Sequence, residues 1–159
     1  MIIDTLVTDR TQADVDRVLT LTEKWLDNTI TSAEKTEWNN GLKGAYNAAD
    51  LNRVGQAVAY IANILNSSGR SVNVTAKTNW TYSDVPSATQ MRTFLSNLSV
   101  LKSNVNGVNN AVPASMDNLT FETANNIEQL LIDVYNAIIR ERADYELCGI
   151  AISGVTGGL

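Results

Sequence analysis

Between residues 120 and 142 the apolar side chains recur at helical spacing, and no other feature constrains the fold of this chain as strongly. Ile127, Leu130, Leu131, Val134 and Ile138 fall three or four residues apart, which puts them on one stripe of an α-helix and on no single face of a strand. Thr120 stands where an N-cap belongs, and Arg140 and Arg142 stand near the far end, where the helix dipole favours cations. Such a stripe must be buried against something, and the chain supplies two partners. Leu51, Val54, Val58, Ile61 and Leu65 form a second helix, opened by Asn47 and Asp50 and stopped by Asn66-Ser67-Ser68-Gly69. Pro86 and Ser87 introduce a third, carrying Met91, Phe94, Leu95, Leu98 and Leu101, before Gly107 and Pro113 break it.

Two helices of weaker pattern precede these. The first starts after Thr11 and runs to about Asn28, with Val15, Val18, Leu19, Trp25 and Leu26 on one face. The next opens on the capping-box pattern Thr31-Ser32-Ala33-Glu34 and ends near Gly41, with Trp38 as its anchor. Residues 70–80 change period: Val72, Val74 and Ala76 alternate with polar neighbours, as in an extended segment crossing the bundle surface. The Asn-rich stretch 104–118 reads as a linker. From Tyr145 onward the chain is apolar, punctuated by glycine and uncharged after Glu146, and Leu147, Cys148, Ile150 and Ile152 suit an extended tail. The expectation is a mainly α protein: a bundle of four to five helices over residues 1–144, a short extended insert, and a non-helical, apolar, Gly-rich tail over 145–159.

Composition narrows the function classes. With 159 residues, 44% of them hydrophobic and 18% charged, the chain can bury one core without disulfides. A net charge of -5 with the 12 Lys and Arg scattered leaves no basic stripe for a phosphate backbone, so nucleic acid is not an expected partner. No stretch approaches the ~18 consecutive apolar residues of a membrane span, and the opening residues lack a basic n-region, so synthesis in the cytoplasm and no membrane partner are expected. The absence of histidine removes Ser-His-Asp and Cys-His catalysis. A lone Cys148, read as a buried free thiol, cannot make a tetrahedral zinc site. Five Asn-x-Ser/Thr triplets, at Asn66, Asn73, Asn79, Asn97 and Asn118, are what a chain rich in these residues produces by chance.

The remaining candidates for chemistry are carboxylates and aromatics. Asp14 and Asp16 point in different directions on a helix, and Glu34 and Glu37 sit at a helix start where acids belong, so solvated or capping roles are expected. Gly41-Leu42-Lys43-Gly44 lacks the Walker spacing and reads as a helix terminator and turn. Trp25, Trp38, Tyr60 and Tyr135 lie on or beside apolar stripes and are expected to pack with a polar tip at the surface. Trp80 and Tyr82, in the extended connector, either plug the end of the bundle or face a partner. No catalytic, cofactor-binding or metal residue is expected. The interaction candidates are Trp80, Tyr82, Tyr145, Leu147, Ile150, Ile152 and Val155.

Several segments carry more than periodicity. Asp9-Arg10-Thr11-Gln12-Ala13-Asp14-Val15-Asp16-Arg17-Val18 and Leu42-Lys43-Gly44-Ala45-Tyr46-Asn47-Ala48-Ala49-Asp50-Leu51-Asn52-Arg53-Val54 resemble small virion structural proteins of phages and prophages of Firmicutes. Trp80-Thr81-Tyr82-Ser83-Asp84-Val85-Pro86 with Gln90-Met91, and Met116-Asp117-Asn118-Leu119-Thr120 with Ala124-Asn125-Asn126-Ile127-Glu128, are similar to the same proteins in the same order. The resemblance covers roughly residues 8–138, and the stretch from Cys148 to Leu159 departs from it by lacking acids. It implies a non-enzymatic structural or adaptor subunit of the virion in the tail, baseplate or tail-fibre attachment, with no cofactor. The implied partners are other virion proteins, with the chain itself a homo-oligomer in a symmetric assembly. A head decoration or head-fibre protein is the alternative, and a receptor-glycan binding module or carboxylate-based hydrolase a second one.

Overall fold

The computed structural model describes the backbone of residues 1–154 and the side chains of residues 1–145. Among the described residues there are five α-helices and no strand: α1 (Gln12–Leu26), α2 (Ser32–Asn39), α3 (Ala48–Ser67), α4 (Ala88–Ser103) and α5 (Phe121–Gly154), preceded by a 3-10 turn at Ile2–Thr5. Each of the first four begins where its sequence says it should. Thr11, Thr31, Asn47 and Ser87 occupy the N-caps, and each cap is closed by the side chain three residues into the helix, at Asp14, Glu34, Asp50 and Gln90. Gly41, at φ +90°, ends the α2 region in a conformation that side chains with a Cβ rarely adopt.

The core lies between α3, α4 and α5, with the N-terminal turn packed on α3 and α5. Leu51, Val54, Val58, Ile61 and Leu65 of α3 meet Phe94, Leu95, Leu98 and Leu101 of α4 and Ile127, Leu130, Leu131, Val134 and Ile138 of α5, all of them buried. Every member of the three sequence stripes except the half-buried Met91 is inside.

These three helices run in the same direction. Arg53 near the start of α3 pairs with Glu128 near the start of α5, and Arg70 just past the end of α3 pairs with Glu141 of α5 and with the carbonyl of Asn104 just past α4. Parallel neighbours need connections that travel back along the bundle. α3 is about 30 Å long, and an extended chain covers that in about nine residues. The strap 70–80 and the stretch 104–118 make these two return passes, the latter turning Val105, Val108, Val112 and Met116 toward the core.

An extended strap without a strand partner must satisfy its backbone by other means. Three helix asparagines do so, each accepting a backbone N–H on its amide oxygen and donating its amide N–H to the carbonyl of the same residue. Asn66 holds Val72 (2.7 and 3.0 Å), Asn97 holds Thr75 (3.0 and 2.8 Å) and Asn52 holds Trp80 (2.7 and 2.9 Å). Gly55 completes the seat, because a Cβ there would lie 2.3 Å from the carbonyl oxygen of Lys77. Two of the Asn-x-Ser/Thr positions, Asn66 and Asn97, are thus occupied by backbone. Asn97→Ala removes both bonds at a buried position and leaves the Thr75 amide and carbonyl without their partners. A loss of about 1–3 kcal/mol is expected, read as a lower urea midpoint and faster amide exchange confined to residues 72–78. Unchanged exchange there would show that the clamp is dispensable.

The structure departs from the sequence reading in two places. α1 does not lay Val15, Val18, Leu19, Trp25 and Leu26 against a core: Leu21 is its one fully buried side chain, while Leu19 is 57% and Leu26 75% exposed. The reason is electrostatic as well as apolar, since Arg17 and Lys24 share a face with Leu21 and are drawn to α2 by Glu37 and Glu34. α1 and α2 therefore form a paired arm outside the three-helix core. At the other end, α5 continues to Gly154 where an extended tail from Tyr145 was expected. An established helix propagates easily, and the ~1 kcal/mol disadvantage of Gly149 relative to alanine does not stop it. Leu147, Ile150, Ala151 and Gly154 follow at helical spacing.

Candidate functional site

The most concentrated chemistry is a buried ion lattice at the end of the bundle where α3 and α5 begin. Capping places Asp50 at the third position of α3, and one further turn presents Arg53 on the same side. Glu128 sits about two turns into α5, next to Ile127 and one turn before Leu131, and is fully buried. Arg10 enters from the segment before α1, and its side chain is 1% exposed.

Glu128 accepts from four donors: Arg10 Nη2 (2.7 Å) and Arg53 Nη2 (2.8 Å) on Oε1, Arg53 Nε (2.9 Å) and the backbone N–H of Val7 (2.7 Å) on Oε2. Asp50 Oδ1 accepts from Arg10 Nη2 at 2.8 Å and from Arg53, and its Oδ2 accepts the Asn47 N–H that closes the cap. Arg10 also donates to the carbonyls of Val7 (2.7 Å) and Lys43 (3.2 Å). Asn125 grips the Arg10 backbone as the strap asparagines grip theirs, at 3.0 and 2.9 Å. The two guanidiniums balance the two carboxylates, so the lattice is neutral and its charges are mutually satisfied.

Tyr46 lies beside this lattice, with the Arg10 guanidinium carbon 5.4 Å from its ring centre. Its hydroxyl is buried without a hydrogen-bond partner among the described residues. Burial, and then the nearby charges of Glu128 and Asp50, push the phenol well above its ordinary range, so it stays protonated. Gly44 brings the loop against α1 so closely that a Cβ would lie 2.2 Å from the Asp14 carbonyl oxygen. What the arrangement does chemically is join the N-terminal segment, the Gly41–Asn47 loop, α3 and α5 at one point. Glu128 accepts four hydrogen bonds and Asp50 three, and their side chains are 0% and 10% exposed.

The arm carries the second group of charges. Glu34 caps α2 through the Thr31 N–H and takes a proton donor from Lys24 Nζ at 2.5 Å. The Lys24 hydrogen bond first, then the Thr31 backbone, lower its pKa from 4.5 to about 2. A carboxylate whose folded pKa is depressed stabilises the fold above its unfolded pKa and loses that contribution as pH falls through the folded value. The arm is therefore expected to loosen between about pH 5 and pH 2. The Trp25–Trp38 pair, with ring centres 5.9 Å apart, supplies the fluorescence that checks it. Glu34→Gln should flatten the profile over that range.

The interaction candidates fall in different places. Trp80 is buried, walls a cleft of about 230 Å³ with Val58, Ala76 and Phe94, and has Lys77 Nζ 4.5 Å from its ring centre. It plugs the bundle beside the strap. Tyr82, two residues on, is 79% exposed and faces a surface cleft with Trp38 and Leu42. Tyr145 is 82% exposed at the opposite end, near Leu65 and Arg70, so the structure separates it from Tyr82 by the length of α3. The side chains of Leu147, Cys148, Ile150 and Ile152, and all of Val155, lie outside the described residues. Tyr60 and Tyr135 pack partly buried against the core, as their stripes suggested.

Sequence reasoning missed the ion lattice, although one signal was present. Glu128 occupies a position on the most regular apolar stripe of the chain, where a charge needs a partner. Nothing local named Arg10, which is separated from it by 118 positions. Among the described residues no group of His, Cys, Asp and Glu is arranged to hold a metal ion, and no helix is long and apolar enough to cross a membrane. Fold and site together define a small helical bundle, three parallel helices locked at one end by a buried ion lattice. Compared with protein-family models, curated proteins and solved structures, the chain matches none.

Proposed function

We propose that this chain is a non-enzymatic structural or adaptor subunit of a bacteriophage virion, placed in the tail, baseplate or tail-fibre attachment and working as a homo-oligomer among other virion proteins. One observation carries the reading. The segments that resemble small virion proteins are the ones that build the framework: Arg10 from the first, Tyr46, Asp50, Asn52 and Arg53 from the second, Trp80 from the third, Asn125 and Glu128 from the fourth. The likeness thus concerns residues that hold a shape, and their charged groups are consumed by one another. A subunit whose role is to present surfaces to neighbours has this requirement, since assembly demands a rigid body more than a reactive centre.

Particles purified by density gradient from the bacterium that encodes the chain test the reading, with mass spectrometry for content and gold-labelled antibody for position. The expected result is stoichiometric co-sedimentation with label at the tail end. Label on the head would move the assignment to a decoration or head-fibre protein, and absence from particles would end it. Truncation at residue 145 is expected to leave the melting temperature of the isolated protein unchanged and to abolish incorporation.

A further inference from the structure

The surface of α1 carries an inference that does not depend on the virion reading. Val15, Leu19, Thr22 and Leu26 alternate at four- and three-residue spacing, the seam of a two-helix coiled coil. This seam faces away from α2. Leu19 and Leu26 are 57% and 75% exposed, whereas Trp25 turns toward Trp38 of α2. Large apolar side chains grouped on one helix face mark an interaction surface more often than scattered ones do.

The charges of the helix are sorted by face. Both of its cations, Arg17 and Lys24, turn inward to Glu37 and Glu34. Asp16, Glu23 and Asp27 flank the outer seam on one side, and no salt bridge among the described residues engages any of them. The seam is therefore apolar with an acidic rim. A second copy is a poor occupant, because its own α1 would bring the same acids and no free cation. In a parallel pairing Asp16 and Glu23 would face Thr11 and Val18, neither of them a cation.

We propose that the outer face of α1 is a docking surface for an amphipathic helix of another protein, one whose apolar stripe is flanked by lysine or arginine. Leu19 and Leu26 supply the anchors, and Asp16 and Glu23 select the flanking charge. Charge complementarity of this kind sets partner choice and orientation, and it discriminates against acidic helices as strongly as it favours basic ones.

The probe is a fluorescein-labelled helical peptide with leucine at its a and d positions and lysine at e and g, alongside a counterpart with glutamate at e and g. Anisotropy with the full chain is expected to show at least about tenfold preference for the lysine peptide at low salt. Leu19→Ser with Leu26→Ser should abolish binding with the thermal melt unchanged, since both residues are exposed in the free protein. Asp16→Lys with Glu23→Lys should invert the preference. Three results overturn the proposal: lysine-peptide binding that survives the serine variant, which reduces it to attraction by the net negative charge; concentration-dependent dimerisation of the chain that the serine variant removes, which assigns the face to a second copy; or no peptide binding.

Discussion

Glu128→Ala is expected to destabilise the protein by about 3–5 kcal/mol, the range for breaking a buried ion pair by removing one partner. The truncation removes the acceptor of four hydrogen bonds and leaves Arg10, with 1% of its side chain exposed, and Arg53 facing the single carboxylate of Asp50. Neither guanidinium can shed its charge, because arginine does not deprotonate in proteins. The Val7 amide is orphaned as well. Of a total stability in the ~5–15 kcal/mol range for a domain, this is a large share. Urea denaturation followed by far-UV circular dichroism measures it. Arg53→Ala offers a graded comparison, since its side chain is 18% exposed and water can replace part of what is lost. A midpoint shift for Glu128→Ala below that of Arg53→Ala would refute the lattice as a structural lock.

Leu131→Asp is expected to unfold the chain outright. Leu131 is fully buried on α5, in one cluster with the stripes of α3 and α4, and the nearby Arg10 and Arg53 are already engaged by Glu128 and Asp50. An unpaired carboxylate there must lose its hydration or its charge, at several kcal/mol, and the leucine's own transfer energy of about 1.5–3 kcal/mol is forfeited too. Glu128, one turn away on the same helix, shows the contrast: an acid is tolerated in this stripe only with two arginines brought to it. The spectrum of the variant should lose its helical minima at room temperature. A cooperative melt near that of the parent would mean that α5 is not the centre of the core.

Helices α3, α4 and α5 were legible because their information is local. A cap, a stripe at 3.6-residue period and a stop signal all lie within one stretch of chain, and the buried residues of all three match the stripes read from sequence. The same local signals placed α1 and α2 but misjudged what α1 packs against. A stripe records which side of a helix is apolar, while the side that is buried depends on what else is available, here Glu34 and Glu37 pulling Arg17 and Lys24 inward.

Sequence by itself determined the helical class, four N-caps, the extended character of residues 70–80, and the lack of histidine-dependent chemistry. Tertiary structure decided the parallel order of the three core helices, the fate of Trp80 against that of Tyr82, and the pairing of Arg10, Asp50, Arg53 and Glu128. The physical reason is range. Helix propensity and capping act over a few residues, whereas a salt bridge across 118 positions or an asparagine clamping a strap 28 positions away exists only after the chain has folded back on itself.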